Sequence, residues 1–189
     1  MSDREKACEN WLSAARHLPS PHCNLRPDNA VIDLLVIHNI SLPPGQFGGG
    51  FVDQLFCGEL DCSAHPAFAG LLGLRVSAHF FINRLGDITQ YVSTGARAWH
   101  AGVSQWCGRD NCNDFSIGIE LEGTDTLPYS DAQYCALAVL TQQLQQQYPA
   151  IVTERIVGHA DIAPGRKTDP GPAFEWQRYR AMLDGSKTG

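Results

Sequence analysis

The sequence predicts one domain of the α/β to α+β class, a central mixed β-sheet flanked by helices on both faces. Residues 31–40 are apolar on both faces apart from Asp33, the pattern of a strand covered on each side. Ser116–Glu122 alternates, with Ile117, Ile119 and Leu121 on one face and Gly118, Glu120 and Glu122 on the other. Ser130, with Gln133 three residues on, caps a long helix whose stripe is Leu137, Leu140, Leu144 and Tyr148, ending at Pro149. Strands and helices interleave without regular βαβ spacing, so a mixed sheet is expected rather than a parallel one.

The remaining elements follow in chain order. Cys8, Trp11, Leu12 and Ala15 recur at three- and four-residue spacing and predict a helix over 5–16, stopped before Pro19 and Pro21. His38 falls near the end of the first strand. Pro43, Pro44, Gly45 and the glycines at 48–50 make a long loop, and a weaker helical pattern covers 51–56. Residues 75–83 and 87–92 read as two strands joined by Arg84-Leu85-Gly86, an antiparallel hairpin with its glycine where a positive φ is needed. A short strand over 155–157 delivers Gly158 and His159. Residues 161–172, with three prolines and two glycines, read as loop, and Pro172 starts a last helix through Met182.

Composition bounds the function. The chain has 189 residues, 43% hydrophobic and 18% charged, which excludes a disordered polyelectrolyte. Twenty acidic against 14 Lys+Arg residues leave a formal net charge of −6, so neither nucleic acid nor an anionic membrane surface is an expected partner. Any anionic ligand must be met by locally placed cations. No apolar run reaches the length of a membrane span, and the first residues lack the apolar core of a secretory signal. Seven cysteines is an odd count, and reduced thiols in the cytoplasm are the simpler expectation. Cys57 with Cys62 and Cys107 with Cys112 lack the Cys-x-x-Cys form of a zinc ribbon, and 48–50 lacks the Lys-Ser/Thr of a phosphate loop. No obligate protein partner is evident.

Two of the seven histidines stand at strand ends beside other ligand types. His38 ends the central strand, His159 ends the late one, and Asp169 follows ten residues later in a proline-stiffened loop that also carries Lys167. Two imidazoles and one carboxylate make the three-ligand set of a catalytic zinc, which keeps its fourth position for water. Spacing leaves the plainer alternative open: surface or core histidines, and an Asp that only begins a turn. Glu120 is the next anomaly, a carboxylate on the strand face that also carries Gly118, where room is left for a ligand. An ordinary outward glutamate fits equally well. His79 reads as a satisfied core histidine and His100, between Trp99 and Ala101-Gly102, as a candidate cleft wall.

The blocks Leu35-Val36-Ile37-His38-Asn39-Ile40-Ser41-Leu42-Pro43-Pro44-Gly45, Val76-Ser77-Ala78-His79, Ala98-Trp99-His100-Ala101-Gly102, 112–125 and Lys167-Thr168-Asp169-Pro170-Gly171-Pro172 closely resemble the AmpD-type anhydro-N-acetylmuramyl-L-alanine amidases of cell-wall recycling. The likeness runs from about Trp11 to Tyr179. It implies a single zinc amidase domain over 1–189 with the mixed-sheet fold shared by phage-lysozyme-type amidases and peptidoglycan-recognition domains. It implies Zn2+ held by His38, His159 and Asp169, with Glu120 as acid/base residue and Lys167 as electrostatic stabiliser. The implied substrate is a cytoplasmic anhydromuramyl-peptide, cut between the lactyl group and L-alanine, with an indirect effect on β-lactamase induction. Arg75 and Arg109 are candidate contacts for stem-peptide carboxylates, Asn39 for an amide or sugar, and Trp99 for stacking on the sugar. Gly165 departs from the glutamate expected in the family and bears on loop rigidity. Two rival readings stand: a binding module that had lost turnover, against which stands the complete ligand set, and an extracytoplasmic amidase acting on intact murein, against which stands the lack of a signal pattern.

Overall fold

The strand Leu34–Ile40 (β3) has two apolar faces, and the molecule covers both. The computed structural model describes residues 10–185. Around β3 lie Arg16–His17 (β1), Phe80–Ile82 (β4), Ile88–Gln90 (β5), Ser116–Glu122 (β9) and Ile156–Gly158 (β10), in the order β1-β5-β4-β9-β3-β10. The pair β4/β5 is antiparallel and every other pair in this sheet is parallel, so the sheet is mixed as expected. Two small ribbons lie outside it: Cys23–Leu25 (β2) with Ala96–Ala98 (β6), and Gln105–Trp106 (β7) with Arg109–Asp110 (β8).

Helices cover both faces. On one face Leu35, Ile37, Ile117, Ile119 and Leu121 meet Leu137, Leu140 and Leu144 of Asp131–Gln147 (α2) and Tyr179 and Leu183 of Trp176–Gly185 (α4). Across β4 and β5 on the other face, Phe81 and Tyr91 pack against Val52, Leu55 and Phe56 of Phe51–Cys57 (α1). Beneath β3 and β10, Leu34, Val36 and Val157 meet Ala101, Cys112 and Ile162, the last from the single turn His159–Ile162 (α3).

Start signals in the sequence act as read. Ser130 Oγ accepts the N–H of Gln133 at 3.1 Å and Gln133 Oε1 accepts that of Ser130 at 3.1 Å. Gln133 Nε2 also donates to Ile82 O at 3.2 Å and Glu122 O at 3.0 Å, tying α2 to the ends of β4 and β9. Leu137 is fully buried in the main core, so Leu137→Ala is expected to cost about 2–5 kcal/mol, read from the midpoint of urea unfolding at unchanged slope.

Three expectations are corrected. Of the helix predicted over 5–16, residues 5–9 lie outside the described residues; residues 10–17 form a turn and then β1. There Gln90 Oε1 accepts the N–H of Leu12 at 2.8 Å, and Arg16–His17 pair with Thr89 and Gln90, so a sheet edge takes the bonds that a helix would have made. Regular pairing of the hairpin begins only at Phe80, because the N–H groups of Ser77 and His79 are drawn to Trp99 O and Gly118 O. The last helix begins at Trp176 rather than Pro172, since Asp125 O holds the N–H of Ala173 at 2.9 Å, outside any helical turn. Among the described residues, no helix is long and apolar enough to cross a membrane.

Candidate active site

Parallel strands β3, β9 and β10 all end at one edge of the sheet, the edge at which open α/β sheets bind ligands. Register places His38 directly beside Glu120, so both side chains leave the same face. β10 ends at Gly158 and hands the chain to His159, the first residue of α3. Ala160 N–H donates to Asp169 O at 3.0 Å, which brings the following loop back over the start of that turn.

The three predicted ligands converge. His38 Nδ1 and His159 Nδ1 are 2.9 Å apart, and each lies 3.0 Å from Asp169 Oδ2. Both histidines are buried and Asp169 nearly so. Zinc at about 2.0–2.1 Å from tetrahedral ligands separates them by about 3.3–3.4 Å, so a small opening of this triangle admits the ion. The donor chemistry fits as well: two imidazole nitrogens and one carboxylate oxygen, with His159 Nε2–H donating to Ala101 O at 3.0 Å and leaving Nδ1 as the lone pair. Among the described residues this is the one His/Cys/Asp/Glu group close enough to hold a metal, and Cys57, Cys62, Cys107, Cys112 and Cys135 are free thiols.

Electrostatics separate the roles. Burial pushes His38 down to about 4, against the opposing bond to Asp169, so its imidazole is neutral as a metal ligand must be. Burial alone would raise Asp169, but bonds from His159 and His38 outweigh it and hold the carboxyl well below its ordinary value. Glu120 moves the other way. Burial, reinforced by the charge of Asp169 and partly offset by Lys167, holds it well above the ordinary carboxylate range. Its Oε2 is buried with no hydrogen-bond partner. Two carboxylates in one site are thus set apart, Asp169 ionised and Glu120 able to gain and lose a proton. Lys167 itself is exposed, on the loop between α3 and Asp169.

The substrate-contact candidates divide. Asn39 Nδ2 donates to Asp125 Oδ1 at 2.8 Å and Pro170 O at 3.1 Å, bracing the loop that carries Asp169. Trp99 is half-buried, stacked on His22 with ring centroids 6.1 Å apart, and its Nε1–H donates to Asn24 Oδ1 at 2.6 Å. Arg75 is exposed on a shallow groove that also includes His22. Arg109 is not brought to the cluster. It lies over the Phe115 ring and pairs at 2.8 and 2.9 Å with both oxygens of Asp33, which stands five residues before His38 and thus about 16 Å along the extended chain.

Gly118 does not leave room for a ligand; the space is taken by the His100 ring, 2.6 Å at Nδ1 from where a Cβ would stand. His79 is the satisfied core histidine expected, its Nδ1 accepting the N–H of Gly118 and its Nε2 facing Ala96 O. Glu122, the neighbour of Glu120 in the alternation, is spent on structure, accepting the N–H groups of Gly48 and Arg84. Sequence reasoning missed Asn113 and left His100 ambiguous. A cleft of about 700 Å³, lined in part by Phe51, Glu122 and Phe81, the register partner of Glu120, includes neither Glu120 nor the three donors.

Comparison with known proteins places this geometry. The N-acetylmuramoyl-L-alanine amidase family matches residues 28–172. The 1,6-anhydro-N-acetylmuramyl-L-alanine amidase AmpD of Citrobacter freundii is 61% identical over 175 residues, 93% of each chain. A crystal structure of a Se-Met AmpD derivative superposes with a TM-score of 0.90 at 60% identity, covering 93% of this chain and 97% of that one. The amidase AmiD of E. coli, in complex with anhydro-N-acetylmuramic acid-L-Ala-D-gamma-Glu-L-Lys, superposes with a TM-score of 0.60 at 33% identity over 83% of this chain and 60% of that one. The chain belongs to the N-acetylmuramoyl-L-alanine amidase family and is of its AmpD type.

Proposed function

We propose that the chain is a zinc-dependent amidase that hydrolyses the bond between the lactyl group of anhydro-N-acetylmuramic acid and L-alanine in cytoplasmic muropeptides, as a step of peptidoglycan recycling. The observation that carries the reading is the buried His38, His159 and Asp169 triangle beside a glutamate of raised proton affinity. The names of the relatives, AmpD among them, supply the substrate class, and free cysteines accord with a reducing compartment.

Zinc, when bound, supplies a Lewis acid for the carbonyl and lowers the pKa of water from 15.7 to about 7. Glu120 takes the proton of the attacking water and returns it to the amide nitrogen, because an amine leaves poorly unless protonated. Lys167 places its ammonium where it stabilises the oxyanion of the tetrahedral intermediate. Its charge lowers the proton affinity of Glu120, which supports that assignment. Asn39 and Trp99 are assigned to the sugar and amide, and Arg75 to the stem-peptide carboxylate.

The test is chromatographic detection of free stem peptide from an anhydromuramyl-tripeptide. Treatment with a chelator is expected to abolish release and added zinc to restore it. Release unaffected by chelation would end the zinc reading, and tight muropeptide binding without release would make the chain a binding module.

A further inference from the structure

The two histidines of the donor triangle each have an outer nitrogen, and both are met by consecutive residues of one segment. Ala101 O accepts from His159 Nε2–H at 3.0 Å, and His100 Nδ1 lies 2.9 Å from His38 Nε2. The segment is fixed from outside. Asn113 Oδ1 accepts the N–H groups of His100 at 3.1 Å and Ala101 at 2.8 Å, and Arg166 Nη2 donates to Ala101 O at 2.6 Å. The His100 ring crosses β9 where Gly118 has no side chain, and its Nε2 lies 3.2 Å from Ser116 Oγ. A buried ring seated in a slot that any Cβ would close is a built feature, and core packing alone does not require an imidazole there.

We infer that His100 is a positioning residue for the metal: its Nδ1 accepts the Nε2–H of His38, as Ala101 O accepts that of His159, so that both ligands present Nδ1 beside Asp169. This rests on the zinc reading above. Ala101 O, which only accepts, lies 3.0 Å from His159 Nε2, nearer than the Arg166 guanidinium at 3.4 Å, so the proton of His159 sits on Nε2. His100 could instead donate from Nδ1 to His38 Nε2, but His38 would then carry its proton on Nδ1, among the donors, where no metal could share that nitrogen. Metal binding therefore requires His100 protonated on Nε2, donating to Ser116 Oγ, and a hydroxyl serves as that acceptor. Asn113 holds both residues, which ties the two ligands together through His100 and Ala101, outside the donor triangle.

Nitrogen-15 NMR of the zinc-loaded full chain is expected to show His38 protonated only on Nε2 and His100 protonated on Nε2 with Nδ1 bare. His100→Phe keeps the ring and removes the acceptor. Its zinc affinity, measured by chelator competition, is expected to fall about 10–100-fold at little change in melting temperature, the range seen when outer partners of ligands are removed. His100→Asn, whose Oδ1 stands near the former Nδ1, is expected to recover most of that loss. Wild-type affinity in a folded His100→Phe protein, or His100 protonated on Nδ1 in the zinc-loaded wild type, overturns the inference. Should the variant fail to fold, the wild-type spectrum decides. A wild-type chain that binds no zinc removes the zinc reading itself, whereas zinc binding equal in wild type and variant removes only the role of His100.

Discussion

Glu120→Gln is expected to bind zinc as the wild type does and to lose roughly 10²- to 10⁴-fold in kcat, the range for removing a positioned general acid/base. The substitution keeps the shape of a buried side chain and takes away only its ability to cycle a proton. The pH profile carries the finer test. Because Glu120 must be ionised to act as base, activity rises with pH as it loses its proton. That rise should vanish in Glu120→Gln. Stability should move in the opposite sense. A carboxyl whose folded pKa is raised leaves the fold unpenalised below its unfolded value and progressively destabilises it as pH rises through the folded value. In metal-free protein Glu120→Gln should therefore melt higher than wild type at pH 7–8, and the difference should close near pH 4. An active, zinc-loaded Glu120→Gln enzyme would remove Glu120 from the mechanism.

Asp169→Ala is expected to lose metal and activity together. The change deletes one of three donors, the carboxylate oxygen that lies 3.0 Å from Nδ1 of each histidine. Outer partners of ligands cost about 10–100-fold in affinity, so loss of a direct ligand should exceed 100-fold and should exceed the loss in His100→Phe. The measurement is zinc content after dialysis against a weak chelator, followed by stem-peptide release. Full zinc occupancy with wild-type turnover in Asp169→Ala would show that the triangle is not the metal site. Glu120 and Asp169 variants thus separate: one keeps the ion and loses proton transfer, the other loses the ion.

Much of the fold was legible in the residues. Ser116–Glu122 and the helix opened by Ser130 follow from period-2 and helical spacing and from a capping box whose two bonds both form. The segment around Trp11 and Leu12 was not legible, because the same apolar spacing suits a helix or a chain bonded to a sheet edge, and the side chain of Gln90, 78 residues away, decides between them. Gly118 was legible as a gap but not as to what fills it. The ring of His100 is brought there by bonds from residues distant along the chain, Asn113 and Arg166 to its segment and Ser116 to the ring itself.

The residues alone point to the candidate ligands, two histidines at strand ends and an aspartate in a stiff loop, and to a glutamate in the neighbouring strand. Local patterning suffices there, because strand period and loop composition fix which residues can reach an edge. The folded chain sets which nitrogen of each histidine faces the carboxylate, and which of two glutamates, Glu120 rather than Glu122, keeps a buried oxygen without a hydrogen-bond partner. Those choices depend on hydrogen-bond partners distant along the chain, Ala101 and His100 for the ligands and Gly48 and Arg84 for Glu122, and no local pattern encodes them.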